Sequence, residues 1–277
     1  MPALIAASFN GKIYDDTASG ISVFDRGLHY GDGLFETMLV QHSAVVEFRR
    51  HHERLLSGCR RLEIELAEHF QISDEVGQLV DGCQSGILKL IVTREAGGRG
   101  YRGPKSGTGN RLLLLYDHTP LPGPETAIVR WCTSRMTRNA ALAGIKHLNR
   151  LEQVLAQREW WDSSIDEGLM LDTEGELISG TASNVFLVAN GSLCTPDLRY
   201  CGVRGTMRAR VLDKARELNI EVTEQALWPE ELETASEVFV TNAVKGIQPV
   251  VALESKQWAT GPVTCKLIDA LGLRPSS

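Results

Sequence analysis

The sequence has no C-x-x-C pair. Its six cysteines, Cys59, Cys83, Cys132, Cys194, Cys201 and Cys265, are scattered, which gives no support to a zinc or thioredoxin-like site. Long hydrophobic runs are also missing. The longest, such as Leu112–Tyr116, have the length of core strands, well short of the roughly 18 apolar residues of a membrane span. Met1–Gly11 lacks the charged start and apolar core of a secretory peptide. A cytoplasmic chain with reduced thiols is therefore expected, without a disulfide framework. Nor is there an excess of charge of one sign. Lys and Arg total 29 against 35 Asp and Glu, a net −6, so neither a nucleic-acid nor an anionic-membrane surface is indicated. That weak field does not exclude an anionic small molecule, which a few local arginines can hold. There is no Walker A sequence. Gly98–Gly103 fits G-x-G-x-x-G, but Pro104 and Gly107 follow it, so no helix N-terminus is placed to receive a pyrophosphate. His51 and His52 are adjacent, and adjacent helical residues do not share a face for a metal. They read as surface histidines.

What is present organises into two halves. The 277 residues suffice for one large or two ordinary domains. Leu4–Phe9 and Lys12–Tyr14 flank Asn10-Gly11, a strong hairpin signal. Phe35–Val40 and Ala44–Phe48 form a second candidate hairpin. From Arg50 the period changes, with Leu55, Leu56, Cys59, Leu62, Ile64 and Leu66 lying in a charged helical stretch. Ser73 is the expected N-cap of a helix reaching Cys83. Ile87–Thr93 and Arg111–Tyr116 read as strands around a Gly-rich loop. Residues 118–125, rich in proline, read as a linker. The expected division is an α+β domain over 1–117 and an α/β domain over 126–277. In the second half Ala127–Cys132, Leu169–Asp172, Asn184–Val188 and Glu237–Thr241 read as strands. Gly205–Leu218 and Thr264–Leu271 read as helices. Asn149 is the expected N-cap of an amphipathic helix carrying Leu151, Val154, Leu155 and Trp161. This alternation gives an α/β fold class overall.

One lysine stands out by its setting. Lys146 lies between Ile145 and Leu148, just before that helix. A lysine in apolar surroundings loses hydration, which favours the neutral amine, and the neutral amine is the species that forms Schiff bases.

The run Gly144–Leu155 (GIKHLNRLEQVL) resembles the cofactor-lysine segment of the aminodeoxychorismate lyases. These belong to the fold-type IV pyridoxal-phosphate family, with the branched-chain and D-amino-acid aminotransferases. Asp25-Arg26-Gly27 and Tyr30–Glu36 are similar to the family's N-terminal signature. Gly97–Tyr101 resembles the lyases' own loop, and Ser183–Phe186 and Val240–Asn242 match further family segments. The resemblance implies two domains with pyridoxal 5'-phosphate in the cleft between them. It implies Lys146 as the Schiff-base residue, whose freed amine moves a substrate proton. It further implies phosphate contacts from Arg54, Thr206, Met207 and Thr241. Arginine suits this by its permanent charge and fork geometry. A helix N-terminus at Thr206 suits it by its N–H groups and dipole. The implied substrate is a dicarboxylate, with Arg99 and Tyr101 as candidates for its carboxylates and His29 and Tyr30 lining the pocket. A homodimer is implied as well.

The chain departs from the family pattern at one place. Aligned on Asn184, the position of the family glutamate that pairs with the pyridine nitrogen is Ser179, and Glu176 lies three residues upstream. A serine there makes the ring a shallower electron sink than a carboxylate does. That favours elimination over transamination as the expected reaction.

Overall fold

The computed structural model describes residues 3–14, 21–66, 69–94, 96, 100–104, 109–119 and 126–273. Arg99 and most of the 118–125 linker lie outside them. The chain divides into two compact units, Met1–Pro120 with Ile145–Asn149, and Leu121–Gly144 with Arg150–Ser277.

The first unit is an antiparallel sheet with helices on one face. Its strands are β1 (Leu4–Phe9), β2 (Lys12–Tyr14), β3 (Gly33–Gln41), β4 (Ala44–Val45), β5 (Ser85–Thr93) and β6 (Asn110–Asp117). They run in the order β2-β1-β6-β5-β3-β4. The β1–β2 hairpin turns at Asn10 (φ 51°) and Gly11 (φ 90°), the two positive φ values that an Asn-Gly turn supplies. Along β3 the side chains alternate. Leu34, Glu36, Met38 and Val40 are buried, while Phe35, Thr37 and Leu39 are half-buried. The buried set faces α2 (Phe48–Leu62), which crosses β3, and α3 (His69–Val80) packs on β1 and β6. A short α1 (Arg26–Tyr30) precedes β3 and is capped by the Asp25 carboxylate on the Gly27 and Leu28 amides.

Several helix boundaries differ from expectation. Phe48 opens α2 rather than ending a strand, and Ile64 lies beyond that helix's end. Ser73 sits inside α3, not at its cap. The helix begins at His69, so a residue with good capping chemistry has been absorbed into the second turn.

The second unit carries β7 (Ala127–Trp131), α4 (Leu151–Gln157), β8 (Glu167–Leu171), β9 (Leu177–Gly180), β10 (Asn184–Ala189), β11 (Ser192–Pro196) and α5 (Thr206–Glu217). It continues through β12 (Val222–Gln225), α6 (Pro229–Thr234), β13 (Glu237–Asn242), β14 (Gly246–Leu253), β15 (Lys256–Gln257) and α7 (Pro262–Ala270). The sheet order is β12-β11-β10-β13-β14-β7-β8-β9, with β15 beside β14. Pairing is mixed: β14–β7, β7–β8 and β11–β12 are parallel and the rest antiparallel. Both faces of the central strands are buried, so β8, β10 and β13 read as continuous apolar runs rather than alternating ones. Phe186 and Phe239 stack at 4.9 Å between ring centroids and pack with Val211 and Leu267 from α5 and α7. Helix α4 departs from its expected packing. Leu151, Val154, Leu155 and Trp161 are exposed, and Asn149 does not cap the helix but donates to the Gly31 carbonyl at 3.1 Å.

Candidate active site

Lys146 is placed by strand β3. The Phe35 amide donates to the Lys146 carbonyl at 2.9 Å, and the Leu148 amide to the Gly33 carbonyl at 3.0 Å. A bridge between Leu34 and His147 completes the pairing. Residues Ile145–Asn149 therefore cluster with the first unit, although in sequence they fall in the second half. Gly33 leaves room for this segment and for the neighbouring β5, since a Cβ there would stand 2.8 Å from Leu148 Cδ1 and 2.2 Å from the Val92 carbonyl oxygen. The Lys146 Nζ lies 4.3 Å from the centroid of the Phe35 ring, and the Lys89 Nζ lies 5.5 Å from the same ring.

The next residue of β3 points the other way and meets Arg54. Glu36 accepts from Arg54 Nε at 2.8 Å and from Arg54 Nη2, and its Oε2 also lies 2.6 Å from His51 Nδ1. Burial alone raises a carboxyl pKa. Here the charge of Arg54 and the hydrogen bonds from His51 and Arg54 outweigh burial and hold Glu36 below its usual value. His51 and His52, expected at the surface, are instead 2 % and 5 % exposed. Their burial follows from the direction of α2, which turns this edge toward β3. His52 also stacks on Phe48 at 5.7 Å. The role of Glu36 is not readable from the sequence, because nothing local says that a strand acid and a helix arginine meet.

The loop residues gather around Arg26. Its guanidinium donates to Asp32 Oδ2 at 2.9 Å, to the Gly100 carbonyl at 3.0 Å and to the Tyr101 carbonyl at 2.8 Å. It also lies 4.8 Å from the Tyr30 ring centroid. Tyr30 and Tyr101 meet edge-on at 5.6 Å, so the structure brings these two together. His29 is exposed and bonds the Val23 carbonyl.

In the second unit Ser179 lies on β9, 4 % exposed, and donates to the Gly180 carbonyl at 2.8 Å. Glu176 is committed elsewhere: it pairs with Arg138 at 2.8 Å. Below the segment that follows Ser179 sits a buried acid that sequence reading passed over. Glu167 accepts from the Gly168, Thr181 and Ala182 amides and from the Thr181 and Ser183 hydroxyls.

Thr206 and Met207 open α5, whose N-cap Gly205 has no side-chain cap. Thr241, on β13, is buried and its Oγ1 has no partner among the described residues; it stands in register with Asn184, which accepts from the Gly205 amide at the start of α5. An unsatisfied buried hydroxyl costs about 1–3 kcal/mol. A helix N-terminus together with an unpartnered buried hydroxyl has the chemistry of an anion cradle. The residues present therefore fit a phosphate group. Among the described residues no His, Cys, Asp and Glu cluster can hold a metal, and no helix is long and apolar enough to cross a membrane. The six cysteines are free, and burial pushes the Cys59, Cys132 and Cys201 thiols up to about 12.

A lysine docked on a strand in the first unit, and an anion cradle within the second, are each features that suit a pyridoxal-phosphate enzyme. The chain belongs to the amino-transferase class IV family, whose model matches residues 33–253, and its cofactor is pyridoxal 5'-phosphate. The solved 4-amino-4-deoxychorismate lyase of Pseudomonas aeruginosa is 40% identical, with a TM-score of 0.86 over 96% of this chain and 97% of that one. The aminodeoxychorismate lyase of Vibrio harveyi is 28% identical over 84% of this chain and 87% of its own. A Methanocaldococcus jannaschii protein assigned as a branched-chain-amino-acid aminotransferase is 31% identical over 93% and 92%.

Proposed function

We propose that this enzyme converts 4-amino-4-deoxychorismate to 4-aminobenzoate and pyruvate, a step of folate biosynthesis. The observation that carries the reading is the 40% identity, over nearly the whole of both chains, to a lyase of that name. Ser179 supports it. When bound, pyridoxal phosphate supplies a sink for the electrons released as the substrate's amine-bearing carbon loses its proton. The Ser179 hydroxyl, which here donates to the Gly180 carbonyl at 2.8 Å, would on turning to the ring nitrogen leave it unprotonated, which suits a reaction whose electrons leave at once with a departing group.

In this reading Lys146 anchors the cofactor and takes the proton from the amine-bearing ring carbon. Breakage of the enolpyruvyl C–O bond then makes the ring aromatic, and the departing group regains a proton as pyruvate, so no co-reactant is consumed. Arg54, Thr206, Met207 and Thr241 hold the phosphate, and Glu36 orients Arg54. Arg99 and Tyr101 take the substrate carboxylates, with Tyr30 and His29 lining the pocket. The proposal extends to a division into domains 1–117 and 126–277, a homodimer and a cytoplasmic location.

A second reading, a fold-type IV aminotransferase for D-amino or branched-chain amino acids, is favoured by the likeness to the Methanocaldococcus protein. The two separate in one assay. The purified chain is mixed with aminodeoxychorismate generated from chorismate and glutamine by a synthase, with no 2-oxo acid present. Fluorescent 4-aminobenzoate is expected, and Lys146→Ala abolishes both the product and the bound cofactor's visible band. Product that requires an amino acceptor, or turnover that survives in the variant, overturns the proposal.

A further inference from the structure

Asn184 opens β10 and stands in register with Thr241 of β13. Its side chain reaches across to the segment that leads into α5. Nδ2 donates to the Val203 carbonyl at 2.9 Å, and Oδ1 accepts from the Gly205 amide at 3.1 Å. One side-chain amide thus pairs with two peptide groups on either side of Arg204, as a neighbouring strand does. This fixes the path by which the chain enters the helix. Gly205 is shaped to the clamp. A Cβ on it would stand 2.1 Å from Asn184 Oδ1, while the next atoms, Asn184 Cγ and Arg208 Cβ, lie at 3.4 and 3.6 Å. Its φ of −63° is ordinary for any residue. It is the asparagine, then, that excludes a methyl group there, not the backbone. The unpartnered Thr241 hydroxyl lies on the strand that pairs with this asparagine.

We propose that Asn184 is a positioning residue for the phosphate of the cofactor: it holds the amide-bearing start of α5 in place, and Gly205 is glycine so that it can do so. This rests on the assignment of Thr206, Met207 and Thr241 to the phosphate. Asn184 itself touches neither cofactor nor substrate.

The test uses the full chain stripped of cofactor. It is titrated with pyridoxal phosphate and, separately, with pyridoxal, which lacks the phosphate, and the visible absorbance reports binding. Asn184→Ala and Gly205→Ala each weaken pyridoxal phosphate about tenfold, as loss of a charged group's hydrogen bonds does, and pyridoxal by less than about twofold. The double variant is no worse than either single one, because without Asn184 the added methyl meets nothing closer than ordinary contact. Equal weakening of both ligands, multiplying effects in the double variant, or unchanged affinity in Asn184→Ala each overturns the proposal. Gly205→Ala adds one methyl at an ordinary φ and carries the test if Asn184→Ala fails to fold. A wild-type chain that binds pyridoxal and pyridoxal phosphate equally overturns the phosphate assignment itself, a result distinct from failure of the variants alone.

Discussion

Glu36 sits where two helix side chains converge on one strand carboxylate. His51 lies 2.6 Å from one oxygen, and Arg54 donates to both. Glu36→Gln keeps the volume but removes the charge that aligns the Arg54 fork. The variant is expected to lose roughly 2 kcal/mol at neutral pH, the range for hydrogen bonds to charged groups, and to bind pyridoxal phosphate more weakly than wild type. The pH dependence follows from the lowered carboxyl. In the unfolded chain a glutamate takes up a proton near pH 4.3, whereas the folded Glu36 does so only at lower pH. Its contribution is therefore complete above the unfolded value and fades as pH falls through the folded one. Urea titrations at several pH values should show the gap between wild type and Glu36→Gln narrowing in acid. A gap that stays constant down to pH 3 would contradict the assignment. The sequence exposes Arg54 as an arginine on a helix and Glu36 as part of a recognisable run. That they meet depends on how α2 crosses β3, which no local pattern encodes. The same crossing buries His51 and His52, which local spacing reads as surface groups.

Elements were legible where the chemistry is local. Asn10-Gly11 marks its hairpin because both residues tolerate positive φ. The apolar runs of β10 and β13 mark strands buried on both faces. Capping residues misled where tertiary contacts override propensity. Ser73 is interior to α3, and the Asn149 side chain serves the Gly31 carbonyl. The short strands β9, β11 and β12 carry too few residues for a period to show. The turn between β9 and β10 depends on an acid distant in sequence. Glu167 of β8 gathers two amides and two hydroxyls from Thr181–Ser183. Gly180 fits against it, with a Cβ there only 2.2 Å from Ser183 Oγ and 2.8 Å from Glu167 Cδ. Gly180→Ala is expected to destabilise the chain by about 2 kcal/mol through overpacking. Glu167→Gln turns an N–H toward other N–H groups and costs a similar amount, roughly 1–3 kcal/mol. Thermal melts of the two variants check this. A double variant whose loss equals the sum of the single losses would show that the turn and the acid do not act as one unit.

At the scale of the molecule the fold does not choose the reaction. The chain shares its architecture with a lyase at a TM-score of 0.86, and its sequence relatives include an aminotransferase assignment at 31% identity. Function has to be argued from the site. The proposed reading turns on Ser179, buried on β9, with the nearest upstream acid, Glu176, held by Arg138. If the hydroxyl is what keeps the sink shallow, a carboxylate at the same place deepens it and lengthens the life of the electron-rich state. Ser179→Glu should then lower 4-aminobenzoate formation by about tenfold or more while letting amino donors bleach the bound cofactor's visible band. Ser179→Ala, which removes the hydroxyl without adding charge, should reduce turnover without gaining that donor response. Measuring both rates on both variants distinguishes tuning of the ring from simple damage to the strand. Damage lowers both rates together, whereas tuning moves them in opposite directions. Undiminished lyase turnover in Ser179→Glu would show that this residue does not face the ring nitrogen and does not favour elimination.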